Sequence, residues 1–96
     1  MIIDYNKIQS LDAVKKTINL EPISKKFKSF GCQVKSINGH NFDQIVKAIN
    51  NKTSKPLVII ANTIKGKGVK FMENSVLWHY KPLNKENYLK AKNILK

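Results

Sequence analysis

The sequence predicts an α/β fold in which a parallel three-stranded sheet carries flanking helices. Strand-like and helix-like segments alternate along the 96 residues, as they do in parallel sheets. The run Leu57–Ala61 is wholly apolar and mostly β-branched, which suits a strand buried on both faces. A loop with two glycines, Lys65–Gly68, follows this strand. In open α/β sheets, ligands bind where strands end and such loops begin.

The first twenty residues predict one strand and one ambiguous segment. Met1–Tyr5 has the apolar start of a strand, and Asn6 stands at its carboxyl end. The following residues, as far as Leu20, fit either a helix or an irregular connection. Leu11, Val14 and Ile18 have helical spacing, but polar residues separate them.

The middle of the chain predicts a helix, a strand and a second helix. Glu21–Phe30 is the first helix, with Pro22 in its first turn and Gly31 as its stop. Cys32–Ile37 alternates between polar and apolar residues as a strand does. The turn that follows ends in the N-cap of the helix Phe42–Asn51, which carries apolar residues on one face: Phe42, Ile45, Val46 and Ile49. Near the carboxyl end, Asn84–Leu95 predicts a last helix.

The net charge of +12 comes from 18 basic residues, all lysine, against six acidic ones. Such an excess raises the hypothesis of a small basic α/β module that binds nucleic acid. The absence of arginine weakens that hypothesis, because arginine is favoured in base-edge readout and in bidentate phosphate contacts. A non-functional remnant is a further alternative.

A single cysteine, Cys32, cannot form an internal disulfide, so the sequence favours a reducing, cytoplasmic compartment. The apolar run at the amino terminus, Met1–Ile3, is too short for a signal peptide. No run approaches the roughly 18 apolar residues that a membrane helix needs. A membrane partner is therefore not expected.

Several phrases together resemble the transketolase family, in the same order along the chain. They are DYNKIQ (Asp4–Gln9), NLEP (Asn19–Pro22), FGCQV (Phe30–Val34), NGHNFDQI (Asn38–Ile45) and PLVIIANTIKGKGVKFMENSVLWH (Pro56–His79). The resemblance covers nearly the whole chain. It implies that residues 1–96 are the second half of the amino-terminal, diphosphate-binding domain, similar to a separately encoded amino-terminal subunit.

The resemblance implies an enzyme that moves a two-carbon ketol unit between sugar phosphates, with thiamine diphosphate and Mg²⁺ as cofactors. Asn6 matches the asparagine that closes the family's cofactor motif and binds the metal. Ile8 matches the position whose backbone carbonyl also reaches the metal. His79 matches a histidine at the active-site entrance, near the diphosphate and the substrate. An amide and a carbonyl oxygen are ligands that Mg²⁺ accepts.

Several family features have no counterpart in these residues. The Gly-Asp-Gly opening of the motif, the earlier active-site histidines and the catalytic glutamate are missing. Tyr80 stands where the family has glycine, which would crowd the substrate channel. We therefore assign no catalytic residue and expect the isolated chain to be inactive. Complementary transketolase chains, or a homo-oligomer, would be needed for activity.

The same residues also have plain structural interpretations. Asn6 suits a turn, and His79 beside Trp78 suits a packed aromatic pair. Residues 65–68 lack the spacing of a P-loop, so they are either a flexible basic loop or the shaped mouth of an active site, with Gly66 and Gly68 in backbone conformations that other residues avoid. His40 is expected to be structural.

Three strands and three or four helices are too few to cover both faces of a doubly wound sheet. Met1–Asp4 and Leu57–Ala61 are therefore expected to present unpaired edges or bare apolar surface. The sequence thus predicts an oligomer, a partner subunit or poor solubility.

Overall fold

A computed structural model describes residues 1–95 and contains one parallel three-stranded sheet. Strand β1 is Ile2–Tyr5, β2 is Gln33–Asn38 and β3 is Leu57–Asn62. The order across the sheet is β1-β3-β2, and both pairings are parallel. The predicted α/β class with a parallel three-stranded sheet is confirmed.

The described residues form four α-helices and one 3₁₀ turn. The α-helices are α1 (Val14–Thr17), α2 (Ile23–Ser29), α3 (Phe42–Ile49) and α4 (Lys85–Ile94), and the 3₁₀ turn is Leu77–His79. The predicted helices are confirmed with ends that differ by one or two residues. The ambiguous segment before Leu20 contains only the short α1, so both of its interpretations were partly right.

Asparagine side chains begin the two longest helices, as expected for N-caps. The side chain of Asn41 accepts a hydrogen bond from the backbone N–H of Gln44 at the start of α3. The side chain of Asn84 accepts one from the N–H of Asn87 at the start of α4. These bonds satisfy N–H groups that have no partner within the helix.

Strand β3 is the centre of the sheet and the most buried part of the chain. Val58, Ile59, Ile60 and Ala61 are between 2% and 8% exposed. The expectation that Leu57–Ala61 has an unpaired edge or bare surface is wrong. The connection from β2 back to β3 inserts this strand between β1 and β2, so both of its edges are paired.

Strand β1 lies at an edge of the sheet, as the sequence predicts for Met1–Asp4. Met1 is 64% exposed and Ile2 is 60% exposed. The backbone of Met1 bonds to β3, since its carbonyl accepts from the N–H of Ile59 at 2.9 Å. Successive residues of a strand direct their backbone N–H and C=O groups to opposite sides. Because those of Met1 face β3, the N–H and C=O groups of Ile2 and Asp4 point away from β3.

Helices α2 and α3 cover opposite faces of the sheet. Ile3 and the α2 residues Ile23 and Phe27 line one cavity, whereas Ile37 and the α3 residue Ala48 line another. Ile3 and Ile37 are in register with Ile60 and Ala61, whose side chains point to opposite faces. The connections from β1 to β2 and from β2 to β3 run in opposite directions across the sheet, and right-handed crossovers, the general rule for parallel strands, then place their helices on opposite faces.

The chain divides into two compact units. The first comprises Met1–Asn6 and Asn19–Thr63, and holds the sheet with α2 and α3. The second comprises Lys7–Ile18 and the chain from Ile64 on, with α1, the 3₁₀ turn and α4. In the second unit Val69 and Ala91 are 6% and 7% exposed. Across residues 1–95, no helix has the length and apolar character that crossing a membrane requires.

Candidate cofactor site

The carboxyl ends of the three strands meet at one edge of the sheet, where ligands bind in open α/β folds. Tyr5 and Asn38, the last residues of β1 and β2, are both in register with Asn62, the last residue of β3. Asn6 directly follows β1 and is half-buried. The structure thus places Asn6 at the edge where a ligand would bind.

The side chain of Asn62 ties β3 to β2 at this edge. Its Nδ2 donates to Oγ of Ser36 at 2.9 Å and to the carbonyl of Ile37 at 3.0 Å. Its backbone carbonyl accepts from the N–H of Gly39 at 2.8 Å. These bonds give Asn62 a structural role, and the sequence did not single it out.

Gly39 allows β2 and β3 to approach closely just beyond the strand ends. A Cβ at this position would lie 2.5 Å from Cγ2 of Thr63 and 3.1 Å from Cβ of Ala61. Thr63 has little freedom to move away, because its hydroxyl donates to the carboxylate of Asp4. The glycine in this turn is therefore required by the packing at the edge.

We expect Gly39→Ala to lower the free energy of unfolding by about 1–3 kcal/mol, the usual cost of overpacking. The added methyl would displace Thr63 and weaken its bond to Asp4. Urea titration of the chain and the variant measures this difference. Gly31→Ala is the comparison without a steric clash, because nothing lies within 4 Å of a Cβ at that position. Any loss of stability in Gly31→Ala comes from its backbone φ of +81°, which alanine disfavours. Equal stability of Gly39→Ala and the parent chain would contradict the close approach.

A hydrogen-bond chain links the end of β1 to the start of α2. The hydroxyl of Tyr5 donates to Oε1 of Glu21, and Oε2 of Glu21 accepts from the N–H of Ile23 at 3.1 Å. The N–H of Glu21 donates to Oδ1 of Asn19, also at 3.1 Å. The bond to Glu21, together with burial, raises the pKa of Tyr5 to about 12. Periodicity could not reveal this pair, because its members are 16 residues apart.

We expect Tyr5→Phe to remove stability that depends on pH. A tyrosine whose pKa is raised on folding stabilises the protein fully below its unfolded value, near 10, and this contribution is lost as the pH rises towards 12. The stability difference between the chain and Tyr5→Phe should therefore shrink between about pH 10 and 12. Denaturant titrations at several pH values measure this difference. A difference that stays constant over this range would contradict the bond to Glu21.

Ile8 belongs to the second unit and lies in a closed loop. It forms an isolated antiparallel bridge with Ala13. The N–H of Val14 donates to the carbonyl of Lys7 at 2.9 Å, and Lys7 has a φ of 64°. The side chain of Asp12 accepts from the N–H of Ala13 at 2.6 Å, and this bond holds the pKa of that carboxyl below its usual range. The loop therefore has a defined backbone conformation around Ile8.

The loop Lys65–Gly68 is a hydrogen-bonded turn. Gly66 and Gly68 have φ values of 73° and 96°, which confirms that they adopt conformations other residues avoid. A Cβ on Gly66 would lie 2.7 Å from the carbonyl oxygen of Met72. The carbonyl of Lys65 accepts from the N–H of Asn74 at 3.0 Å. These contacts favour a shaped loop over a flexible one.

Trp78 anchors the segment that carries His79. Its indole N–H donates to the carbonyl of Phe71 at 3.0 Å, and the two rings meet edge to face with centroids 5.5 Å apart. Lys65 Nζ lies 3.4 Å from the carbonyl of Trp78, and Lys81 Nζ lies 5.5 Å from its ring centroid. The ring that packs on Trp78 is thus Phe71, while the His79 side chain is exposed. His79 is in the second unit with Ile8, and Asn6 is in the first.

The donors in this chain do not by themselves fit Mg²⁺. Among residues 1–95, no group of three or more histidine, cysteine, aspartate or glutamate side chains is placed to hold a metal. Asn6 and Ile8 would supply two neutral oxygens, whereas Mg²⁺ takes six ligands that usually include a carboxylate. The carboxylate of Asp4, two residues before Asn6 in the sequence, already accepts from the hydroxyl of Thr63. The described residues therefore present no complete Mg²⁺ site of their own.

Comparison with known proteins identifies the family. The model of the transketolase thiamine diphosphate-binding domain matches residues 1–96. The chain belongs to the transketolase family. The resemblance noted from the sequence phrases is thereby confirmed, and so is the link to a thiamine diphosphate-binding fold.

Its transketolase relatives include proteins that are named as subunits. The 6-deoxy-6-sulfo-D-fructose transketolase subunit SqwG of Clostridium sp. (strain MSTE9) is 44% identical over 92 residues, which cover 92% of this chain and 33% of SqwG. An apulose-4-phosphate transketolase subunit from Actinobacillus succinogenes is 35% identical, over 84% of this chain and 30% of that protein. This transketolase-family chain thus spans about a third of the length of these subunits.

The fold also matches a solved transketolase. The crystal structure of transketolase from Campylobacter jejuni has a TM-score of 0.86 and 38% sequence identity to this chain. The match covers 96% of this chain and 15% of that one. The transketolase-family fold is therefore supported by both sequence and structure.

Proposed function

We propose that this chain is part of a transketolase-like enzyme that, once assembled, transfers a two-carbon ketol unit between sugar phosphates. The observation that carries the proposal is that the thiamine diphosphate-binding domain of transketolase matches this chain over residues 1–96. We further propose that residues 1–96 are the second half of that domain. The isolated chain is expected to be inactive, because the family's catalytic glutamate has no counterpart in it.

In the assembled enzyme, Asn6 and Ile8 would hold Mg²⁺, and His79 would contact the diphosphate and the substrate. The position of Asn6 at the carboxyl edge of the sheet supports its part in this assignment. The closed loop around Ile8 and the exposure of His79 are compatible with the roles proposed for these two residues. Thiamine diphosphate, when bound, supplies the carbanion chemistry, and the protein groups position it. A carboxylate from a complementary chain and the diphosphate would complete the ligand set of the metal.

The proposed partner is a complementary transketolase polypeptide. The relatives from Clostridium sp. and Actinobacillus succinogenes are named as subunits, and this chain spans about a third of their length. The exposed edge of β1 and an adjacent groove of about 380 Å³ offer a surface for it. The groove lies between β1 and α2, and its lining is Ile3, Leu20, Ile23, Lys26, Phe27 and Phe30.

We place the assembled enzyme in the cytoplasm, which is supported by the single cysteine Cys32. The family match does not favour the nucleic-acid-binding alternative. The lysine-rich surface is instead compatible with phosphorylated sugars as substrates.

A chimera tests this proposal. Residues 1–96 replace the matching segment of Campylobacter jejuni transketolase, to which they are 38% identical. We expect the chimera to transfer ketol units between sugar phosphates when thiamine diphosphate and Mg²⁺ are present. A folded chimera that binds the cofactor and lacks this activity would contradict the proposed function.

In the chimera, His79→Ala is expected to raise KM for the sugar phosphate donor by about tenfold, corresponding to the loss of one charge-assisted hydrogen bond. Steady-state kinetics at saturating cofactor measure this change. His40→Ala is the matched control, since His40 is also exposed but lies in the turn after β2. An unchanged KM in His79→Ala would remove His79 from the substrate site.

A further inference from the structure

Asn38 and Gly39 form the one asparagine–glycine pair in the sequence. In such a pair the backbone nitrogen of the glycine can attack the side-chain amide of the asparagine, because glycine has no Cβ to hinder the approach. Asn38 is the last residue of β2 and is exposed, so water has access to it. The pair therefore has the composition and the setting for a spontaneous modification of the chain.

The reaction of such a pair replaces the side-chain amide with a carboxyl group in two steps. First the glycine nitrogen bonds to Cγ of the asparagine, the bond from Cγ to Nδ2 breaks, and the glycine proton leaves with Nδ2 as ammonia. The product is a five-membered cyclic imide, a succinimide. Water then adds to one of its two carbonyl carbons and opens the ring. The final product is either aspartate or isoaspartate, in which the main chain runs through Cβ and Cγ and is longer by one atom.

One hydrogen bond in the turn after β2 favours the attack. The N–H of His40 donates to Oδ1 of Asn38 at 2.9 Å. Negative charge develops on Oδ1 when a nitrogen attacks Cγ, and a donor aimed at that oxygen stabilises it. The backbone of Asn38 is held as well, since its carbonyl accepts from the N–H of Asn41 at 3.1 Å and its N–H donates to Oε1 of Gln44 at 2.8 Å. The turn thus holds the amide in place and polarises it.

A second hydrogen bond opposes the attack. The N–H of Gly39 donates to the backbone carbonyl of Asn62 at 2.8 Å. The nitrogen must lose this proton to act as a nucleophile, and without it the nitrogen would face a carbonyl oxygen that carries partial negative charge. Packing also restricts the glycine, because a Cβ there would lie 2.5 Å from Cγ2 of Thr63. Gly39 is therefore unreactive as long as its bond to Asn62 is intact.

We propose that Asn38 is a modification site that converts to aspartate and isoaspartate, at a rate set by the opening of the hydrogen bond between Gly39 and Asn62. The reaction proceeds only in the fraction of molecules in which this bond is open. Where isoaspartate forms, the longer main chain displaces Gly39 from its close contact with Thr63, so the edge stays open. This inference does not depend on the proposed function.

Peptide mass spectrometry and hydrogen exchange together test the proposal. The chain is incubated at mildly alkaline pH, folded and in concentrated urea, and a peptide of residues 36–41 in both solvents corrects for the effect of urea on the chemistry. The folded chain should convert Asn38 about tenfold or more slowly than the unfolded chain, because the hydrogen bond must open first. NMR measures the exchange of the Gly39 amide in the folded chain. Its protection should equal the slowing of the conversion within about threefold, since both require the same opening.

Asn62→Ala tests whether the carboxyl edge controls the opening. The variant loses the side-chain bonds to Ser36 and Ile37 and keeps the backbone carbonyl that accepts from Gly39. Strand β2 is then held less firmly beside β3, so the folded variant should convert Asn38 about three- to tenfold faster than the parent chain. In urea the two rates should be equal. Asn93→Ala is the matched control, since it removes an exposed asparagine within α4 and should leave the rate unchanged.

Four results would each overturn the proposal. Equal conversion of Asn38 in the folded and unfolded chains means that the bond to Asn62 does not control the reaction. Slow conversion in a folded chain whose Gly39 amide exchanges freely means that another feature protects the pair. An unchanged rate in folded Asn62→Ala, despite weaker protection of the Gly39 amide, separates the conversion from the opening. An Asn38 that stays intact even in urea is not a modification site.

Discussion

Replacing Ile60 with alanine is expected to lower the free energy of unfolding by about 2–5 kcal/mol, enough to unfold much of the protein. Ile60 is 3% exposed and lies in β3, in register with Ile3 on one side and Ser36 on the other. Its loss would leave a cavity at the centre of the sheet, which a small domain can compensate poorly. Thermal and urea unfolding measure the difference.

Ile2→Ala is the matched control for Ile60→Ala. Ile2 is also an isoleucine in the sheet, but it lies in the edge strand β1 and is 60% exposed. We expect its replacement to cost less than about 1 kcal/mol. If Ile2→Ala destabilised the chain as much as Ile60→Ala, burial in β3 would not be the source of stability.

In the chimera, Asn6→Ala is expected to weaken the Mg²⁺-dependent binding of thiamine diphosphate by about 100-fold. Removal of groups that only support a metal ligand already costs about 10–100-fold, and Asn6 is proposed to be a ligand itself. Isothermal titration of the cofactor at several Mg²⁺ concentrations measures the change. Asn93→Ala is the matched control, since it changes an exposed asparagine within α4. Equal binding by Asn6→Ala and the parent chimera would remove Asn6 from the metal site.

Hydrophobic patterning was sufficient to predict the three strands and the longer helices. The continuous β-branched run that became β3 and the helical spacing of the apolar residues in α3 are strong local signals. The N-cap Asn41 was also predictable, because capping depends on residues close in sequence. Local signals thus account for the elements and for most of their ends.

The order of the strands could not be predicted from these patterns. The apolar composition of Leu57–Ala61 indicates that this strand is buried, but it contains no information about which strands lie beside it. The chain places β3 between β1 and β2, so the expected bare edge is found only at β1. Long-range pairing, which depends on the crossovers, decided the outcome.

The contacts at the carboxyl edge were also beyond the sequence patterns. Thr63 bonds to Asp4 across 59 residues, and Tyr5 bonds to Glu21 across 16 residues. The roles of Asn6, Ile8 and His79 were assigned from family resemblance alone, and they stay predictions. What the fold adds is that Asn6 follows a strand at the edge where ligands bind.

The chain is proposed to hold only part of a thiamine diphosphate site, and calorimetry with the cofactor and Mg²⁺ tests this most directly. The titration is performed on the chain alone and on the chimera under the same conditions. We predict no binding heat above dilution for the chain alone and saturable binding for the chimera. Binding by the chain alone as tight as that by the chimera would contradict the account, because the site would then be complete within residues 1–96.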